Sequence, residues 1–139
     1  MTTKQYLSQA FYLDKQIESK LQQMDSLNAL ATKATMTLSD MPKNPNKPLS
    51  RMEDTVVKIV DLQEEISKDM EKLVDIKEDI VNTIKGINEK EIQTLLEKRY
   101  LCFEDWEQIA VDLKYNIRHV YRIHSKGLKK IHEILKSCQ

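Results

Sequence analysis

The chain has 139 residues, enough for one domain or for a small domain joined to an extended element. Charged residues make up 32% of the chain and hydrophobic residues 40%. The chain has only two glycines and three prolines, and such low numbers are typical of an all-helical protein. No apolar run approaches the roughly 20 residues that cross a bilayer, and the first residues lack the apolar core of a signal peptide, so we expect an intracellular protein without membrane contact.

The formal net charge of zero hides a strong separation of charge along the chain. Residues 51–91 contain 12 acidic and 7 basic side chains, whereas residues 114–139 contain seven basic side chains and only one acidic one, Glu133. The seven are Lys114, Arg118, Arg122, Lys126, Lys129, Lys130 and Lys136. A cationic segment of this density is expected of a surface that contacts phosphate. The acidic middle argues against a general binder of membrane surfaces.

The first predicted helix runs from about residue 4 to about residue 37. Thr2 and Gln5 fit a capping box at its start. From Tyr6 onwards, apolar or small residues recur every three or four positions, the period of a helix with one buried face. All three prolines then fall within residues 39–50, which we predict to be a Pro-rich loop because proline lacks an N–H donor.

The second predicted helix begins at Ser50, which forms a capping box with Glu53, and it runs to about residue 85. Isoleucine and leucine recur at intervals of seven along it, and a second apolar row fills the alternate positions. The first row is Met52, Ile59, Ile66, Leu73, Ile80 and Ile87, and the second is Val56, Leu62, Met70, Ile76 and Ile84. Such heptads predict a coiled coil.

We therefore predict that residues 1–87 form a long antiparallel two-helix coiled coil, because the first helix has a matching length and a matching apolar stripe. The alternative is that the same stripe of the second helix also pairs with a second copy of the chain.

Three shorter helices are predicted in the carboxy-terminal part, residues 88–139. The third helix covers about residues 89–101, the fourth about 106–113 and the fifth about 117–136. The fourth and fifth helices are joined by a tight turn, which is the pattern of a helix-turn-helix domain.

Local signals mark the ends and contacts of these helices. Asp105 and Gln108 fit a capping box for the fourth helix, and Asn116 fits an N-cap for the fifth. Ala110 is small where two helices of the motif would cross, and Gly127 offers a second point of close approach. We therefore predict a compact trihelical unit.

The amino-terminal half of the fifth helix is predicted to read DNA bases, because a recognition helix inserts that half into the major groove. Its outward-facing residues are Ile117, Arg118, His119, Tyr121, Arg122 and Ser125. Arginine can donate two hydrogen bonds to guanine, and His, Ser and Tyr can reach bases or phosphates. The residues predicted to contact DNA phosphates are Lys114, Asn116, Lys126, Lys129 and Lys130.

A family resemblance rests on the same segment. Arg99-Tyr100, the E-x-I-A-x-x-L pattern of residues 107–113, and a capped helix that ends in an apolar-basic-basic-apolar run resemble region 4 of bacterial sigma factors. The whole chain resembles small phage or prophage transcriptional regulators of Gram-positive bacteria that carry a sigma-70 region 4-like (ArpU-like) domain. Two positions depart from the pattern, since Lys114 stands where the family has glycine and Asn116 where it has serine or threonine.

The resemblance implies a sequence-specific DNA-binding regulator of transcription in the cytoplasm of a bacterial host cell. Its expected partners are double-stranded DNA, RNA polymerase and a second copy of the chain bound through the long helices. A dimer would place two recognition helices about one DNA turn, roughly 34 Å, apart.

Two other functions stay open at this point. A phage DNA-packaging recognition subunit (small terminase-like) also joins a helix-turn-helix to a helical oligomerisation element. A coiled-coil adaptor that binds only protein would use the trihelical unit as a plain structural core.

The sequence offers nothing that resembles a catalytic site. No nucleophile–base set, carboxylate pair or glycine-rich phosphate loop stands out, so we expect neither an enzyme nor a cofactor. We expect no metal site, because Cys102 and Cys138 lack partners at ligand spacing and His119 and His124 do not share a helix face. Both cysteines are predicted to be reduced thiols.

Overall fold

A computed structural model describes the backbone of residues 1–38 and 46–138, and the side chains of residues 1–33 and 51–138. These residues form helices and no strand, so the predicted all-α class is confirmed. The helices are α1 (Thr3–Leu38), α2 (Asn46–Lys85), α3 (Lys90–Tyr100), α4 (Trp106–Leu113) and α5 (Ile117–Ser137). Within the described residues, no helix combines the length and the apolar character that a bilayer span demands.

The start of the second helix differs from its prediction. It begins at Asn46, four residues before Ser50, so the helix extends into the predicted loop over residues 39–50. Pro48 is compatible with this start because it lies in the first turn, where backbone N–H groups have no partner within the helix. The rest of the predicted loop, residues 39–45, lies outside the described residues.

The chain divides into two compact units. The terminal unit contains residues 1–13 and 73–139, and the middle unit contains residues 14–72. The domain boundary predicted between residues 87 and 88 stays a prediction. The terminal unit adds the beginning of α1 and the end of α2 to the three carboxy-terminal helices.

In the middle unit, α1 and α2 bury only part of their apolar residues. Ile17, Leu62 and Ile66 are buried, and the Lys20 ammonium pairs with Asp69 and, at 3.6 Å, with Glu65. Such partly exposed ion pairs stabilise a fold only weakly, because water screens the two charges. Apolar packing therefore remains the larger stabilising contribution in this unit.

Val56 and Met70 of the second predicted apolar row are exposed. The row advances in alternating steps of six and eight residues. Since each residue turns an α-helix by about 100°, these two side chains lie one residue off the buried face. Thr55 and Asp69 occupy the heptad positions beside them and are partly buried.

One apolar core holds the terminal unit together. Its largest fully buried side chains are Leu7, Ile80, Ile84, Leu95, Leu96, Ile109, Val120 and Ile131. The predicted capping box at the start of α1 is confirmed, because Gln5 N donates to Thr2 Oγ1 at 3.1 Å and Thr2 N donates to Gln5 Oε1 at 2.9 Å. The hydroxyl of Tyr6 donates to Asp79 and lies 2.9 Å from Thr83 Oγ1.

Gly127 is a point of close approach between α5 and α3. A Cβ atom at this position would lie 3.0 Å from Ile92 Cγ2 and 3.2 Å from Leu96 Cδ1, both buried. The close approach predicted from the sequence is therefore present. A Cβ atom there would require the side chains of Ile92 and Leu96 to shift by a few tenths of an ångström, and a larger side chain would require more.

We predict that Gly127→Leu lowers the free energy of unfolding by about 1–3 kcal/mol, the usual cost of overpacking a core. Urea unfolding followed by circular dichroism measures the change. Ser125→Leu is the matched control, because it places the same residue at an exposed position of the same helix. Equal stability of the two variants would contradict the packing described for Gly127.

Candidate nucleic-acid interface

Side-chain caps position α4 and α5. Asp105 Oδ1 accepts a hydrogen bond from Gln108 N at 2.8 Å, and Asn116 Oδ1 accepts one from His119 N at 2.8 Å. Both N-caps were predicted from the sequence and are confirmed. The capping box predicted for α4 is only half present. The Gln108 side chain does not bond back to Asp105, because its amide nitrogen donates to Asp112, one turn further along α4.

The turn between α4 and α5 passes through Lys114 in a left-handed conformation. Its φ is 60° and its ψ is 40°, and its N–H donates to Val111 O at 3.2 Å to end α4. Glycine is the residue that adopts this conformation at least cost. Lys114 thus stands where the backbone itself favours glycine, which is the residue usual in the family that the segment resembles.

An aromatic cluster joins α3, α4 and α5. Tyr100 Oη lies 2.6 Å from His124 Nε2, and Trp106 meets the rings of His124 and Tyr121 edge-on at 4.6 and 5.3 Å between centroids. The Arg99 guanidinium lies 4.3 Å from the Trp106 ring centre. Arg99 and Tyr100, two of the residues on which the family resemblance rests, thus both belong to this cluster: Arg99 contacts Trp106, and Tyr100 contacts His124.

His124 was not singled out by the sequence as a structural residue, although it is buried. The spacing of His124 could have indicated its burial, because it lies four residues after Val120 and three before Gly127, on the same helix face. Burial lowers the pKa of His124 to about 4 and raises the pKa of Tyr100 to about 12. The hydrogen-bonded pair is therefore neutral at pH 7.

The opposite face of α5 presents cationic and polar side chains. The exposed members are Arg118, Arg122, Ser125, Lys126 and Lys129. Their spacing of three, four or one residues places them on one side of the helix. In the described part of the chain, none of the five forms an ion pair or a side-chain hydrogen bond.

Three of the predicted base-reading residues already contact other parts of the terminal unit. Ile117 is half-buried. His119 Nε2 lies 3.5 Å from Glu91 Oε1, and its ring meets that of Tyr115 edge-on at 4.6 Å. Tyr121 is half-exposed and packs against Trp106.

The predicted phosphate-contacting residues also separate into two groups. Lys114, Lys126 and Lys129 are exposed and carry no ion pair among the described residues. Asn116 uses its Oδ1 atom to cap α5, and Lys130 Nζ lies 2.6 Å from Glu89 Oε1. The sequence did not point to Glu89 or Glu91, because each pairs with a residue far along the chain.

Neither cysteine belongs to a cluster of metal-ligating side chains within the described residues. Cys102 and Cys138 are free and exposed. Among the side chains that the structure describes, no three His, Cys, Asp or Glu residues come together as metal ligands would.

Comparison with protein-family models, with curated proteins and with solved structures gave no match for this chain. The resemblance to sigma factor region 4 therefore stays a prediction from the sequence.

We predict that Lys114→Gly raises the free energy of unfolding by roughly 0.5–1 kcal/mol, because a left-handed residue with a Cβ atom costs more than glycine there. Chemical denaturation measures the difference. Lys114→Ala is the matched control, since it removes the same charge but keeps the Cβ atom. A glycine variant less stable than the alanine variant would contradict the turn geometry.

We also predict that the terminal unit loses stability as the pH falls from 6.5 towards 4. In this window the unfolded chain, where the pKa of His124 is 6.5, binds a proton that the folded protein does not. The free energy of unfolding should fall by at most about 1.4 kcal/mol per pH unit from this residue.

Urea unfolding at pH 5 to 7 tests this prediction with two variants. His124→Gln should flatten the pH dependence, whereas His132→Gln, which removes an exposed histidine, should keep the slope of the parent protein. Parallel curves for all three proteins would show that His124 does not cause the slope.

Proposed function

We propose that this protein is a sequence-specific DNA-binding regulator of transcription, of phage or prophage type, with a sigma region 4-like helix-turn-helix formed by α3, α4 and α5. The observation that carries the proposal is the exposed face of α5, where Arg118, Arg122, Lys126 and Lys129 lack acidic partners in the described part of the chain. Four basic side chains without acidic partners on one helix face are the electrostatic pattern expected of a surface that binds phosphate groups.

The geometry of α5 suits insertion into a DNA groove. The major groove is wide enough to admit an α-helix, and the buried face of α5 keeps the opposite side turned outward. Arg118 and Arg122 are one helical turn apart in the amino-terminal half, where a recognition helix meets base edges. We propose that these two arginines bind guanines and that Ser125 also contributes to base recognition.

The contacts within the terminal unit support different proposed roles for the remaining predicted residues. Lys114, Lys126 and Lys129 are proposed to bind phosphates, because they are exposed and unpaired among the described residues. Tyr121 and His119 pack on neighbouring rings, so we propose that they fix the orientation of α5 and contribute less to base reading.

The long helices are proposed to form an antiparallel hairpin that also dimerises. In each unit, the paired residues of α1 and α2 lie about equally far along the chain from residues 39–45, as a hairpin requires: Tyr6 with Asp79, and Lys20 with Glu65. Apolar side chains for a dimer contact are available on α2, where Val57 is 57% exposed. Contact with RNA polymerase is proposed from the resemblance alone.

Two measurements on the purified chain separate this function from its rivals. A ring of many copies in solution would favour the DNA-packaging subunit over a regulator. Absence of DNA affinity at low salt would favour the protein-only adaptor, whereas the regulator requires binding that weakens steeply as salt increases.

We predict that selection from a random pool of DNA duplexes enriches a defined site, and that Arg118→Ala and Arg122→Ala each weaken binding to it. The loss of a base contact costs roughly 1–3 kcal/mol, which is about 5- to 150-fold in affinity. Fluorescence anisotropy with the selected duplex and an unrelated duplex measures the loss. Each variant should also relax the base preference at one position of the site.

The control for charge is the pair of variants Lys68→Ala and Lys72→Ala on α2. These lysines are exposed, and their removal lowers the net charge by the same amount. They should leave recognition of the selected site unchanged within about twofold. If the arginine variants bind as tightly as these controls, α5 does not carry the reading face.

A further inference from the structure

Two carboxylates near the start of α3 contact side chains of α5 beside its exposed face. Glu89 Oε1 lies 2.6 Å from Lys130 Nζ, and Glu91 Oε1 lies 3.5 Å from His119 Nε2. The Glu89 contact is the stronger of the two, because a lysine is charged at all physiological pH values whereas a histidine needs a bound proton. The hydrogen bond from Lys130 also lowers the pKa of Glu89, so the pair is ionic at neutral pH.

Lys130 differs from the other cations of α5 in this respect. In the described part of the chain, it is the one lysine or arginine of α5 that has a carboxylate partner. Arg118, Arg122, Lys126 and Lys129 remain unpaired there. Neutralisation is therefore confined to one position of a helix that is otherwise strongly cationic.

The position of Lys130 around the helix axis distinguishes it further. With about 100° of rotation per residue, Arg118, Arg122, Ser125 and Lys129 fall within an arc of about 60°. Lys130 projects about 80° away from Arg122 and about 120° away from Arg118. If the helix rolled until Lys130 faced the groove, Arg122 and Arg118 would turn away from the base edges by about 80° and about 120°.

We infer that Glu89 is a specificity-determining residue, which holds Lys130 away from DNA phosphates and so disfavours a rolled orientation of α5 that cannot read bases. This inference rests on the proposed function. Binding to unrelated DNA depends on phosphate contacts alone, because no base contact fixes the orientation of the helix. A free Lys130 would strengthen that mode, whereas the specific complex, fixed by Arg118 and Arg122, would gain little.

The test compares the parent protein with Glu89→Gln in the full-length chain. Glutamine keeps the size of the side chain, and Glu89 makes no side-chain cap bond to α3, so the helix start should be retained. Affinity for an unrelated duplex should rise about 3- to 10-fold, and its log–log salt dependence should steepen by about one phosphate contact. Affinity for the selected duplex should change less than twofold, so the ratio of specific to unrelated binding falls.

Two further variants make the result specific to the ion pair. Glu71→Gln, at an exposed position of α2, removes the same charge and should leave the ratio unchanged. Adding Lys130→Gln to Glu89→Gln should return the affinity for unrelated DNA, and its salt dependence, to the parent values. Thermal unfolding confirms that each variant is folded.

The possible failures are distinguishable. If the parent protein binds no duplex in a salt-dependent manner, the proposed function fails and the role of Glu89 falls with it. If the parent selects a site but Glu89→Gln behaves like Glu71→Gln, or strengthens both kinds of binding equally, only the role of Glu89 is overturned.

Discussion

The burial of one face of α5 is the constraint on which the rest of the terminal unit depends. Val120, Ile123 and Ile131 are buried in the core, and Gly127 lets the helix approach Ile92 on α3. Once this face is fixed, the geometry of a helix fixes the other one. The same periodicity that stabilises the unit therefore presents a row of arginine and lysine side chains to the outside.

Polar interactions orient that helix without adding charge to the core. The Tyr100–His124 pair satisfies two buried polar groups as a neutral hydrogen bond, which avoids the large cost of burying an ion. The Asn116 cap and the left-handed Lys114 fix where α5 begins. Charge stays at the surface, where Glu89 compensates Lys130 alone among the cations of α5 in the described residues. Stability and the proposed DNA contact are thus separated onto two faces of one helix.

The N-caps of α4 and α5 were predictable from the sequence, whereas the ion pairs between residues far apart in the chain were not. The N-caps at Asp105 and Asn116 involve residues three positions apart, so local rules were sufficient. The pairing of Lys130 with Glu89 joins residues 41 positions apart, and no local pattern contains that information. The early start of α2 was missed because three prolines suggested a loop, although the first turn of a helix tolerates one.

The most direct test of the account is an NMR titration of the isotope-labelled protein with its selected duplex. Because α5 is proposed to enter the groove with its exposed face, side-chain and amide signals of Arg118, Arg122, Ser125 and Lys129 should shift in proportion to bound DNA. Signals of Val120 and Ile131 on the buried face should shift far less, and an unrelated duplex should give weaker changes. Shifts confined to α1 and α2, with the α5 signals unchanged, would contradict the account.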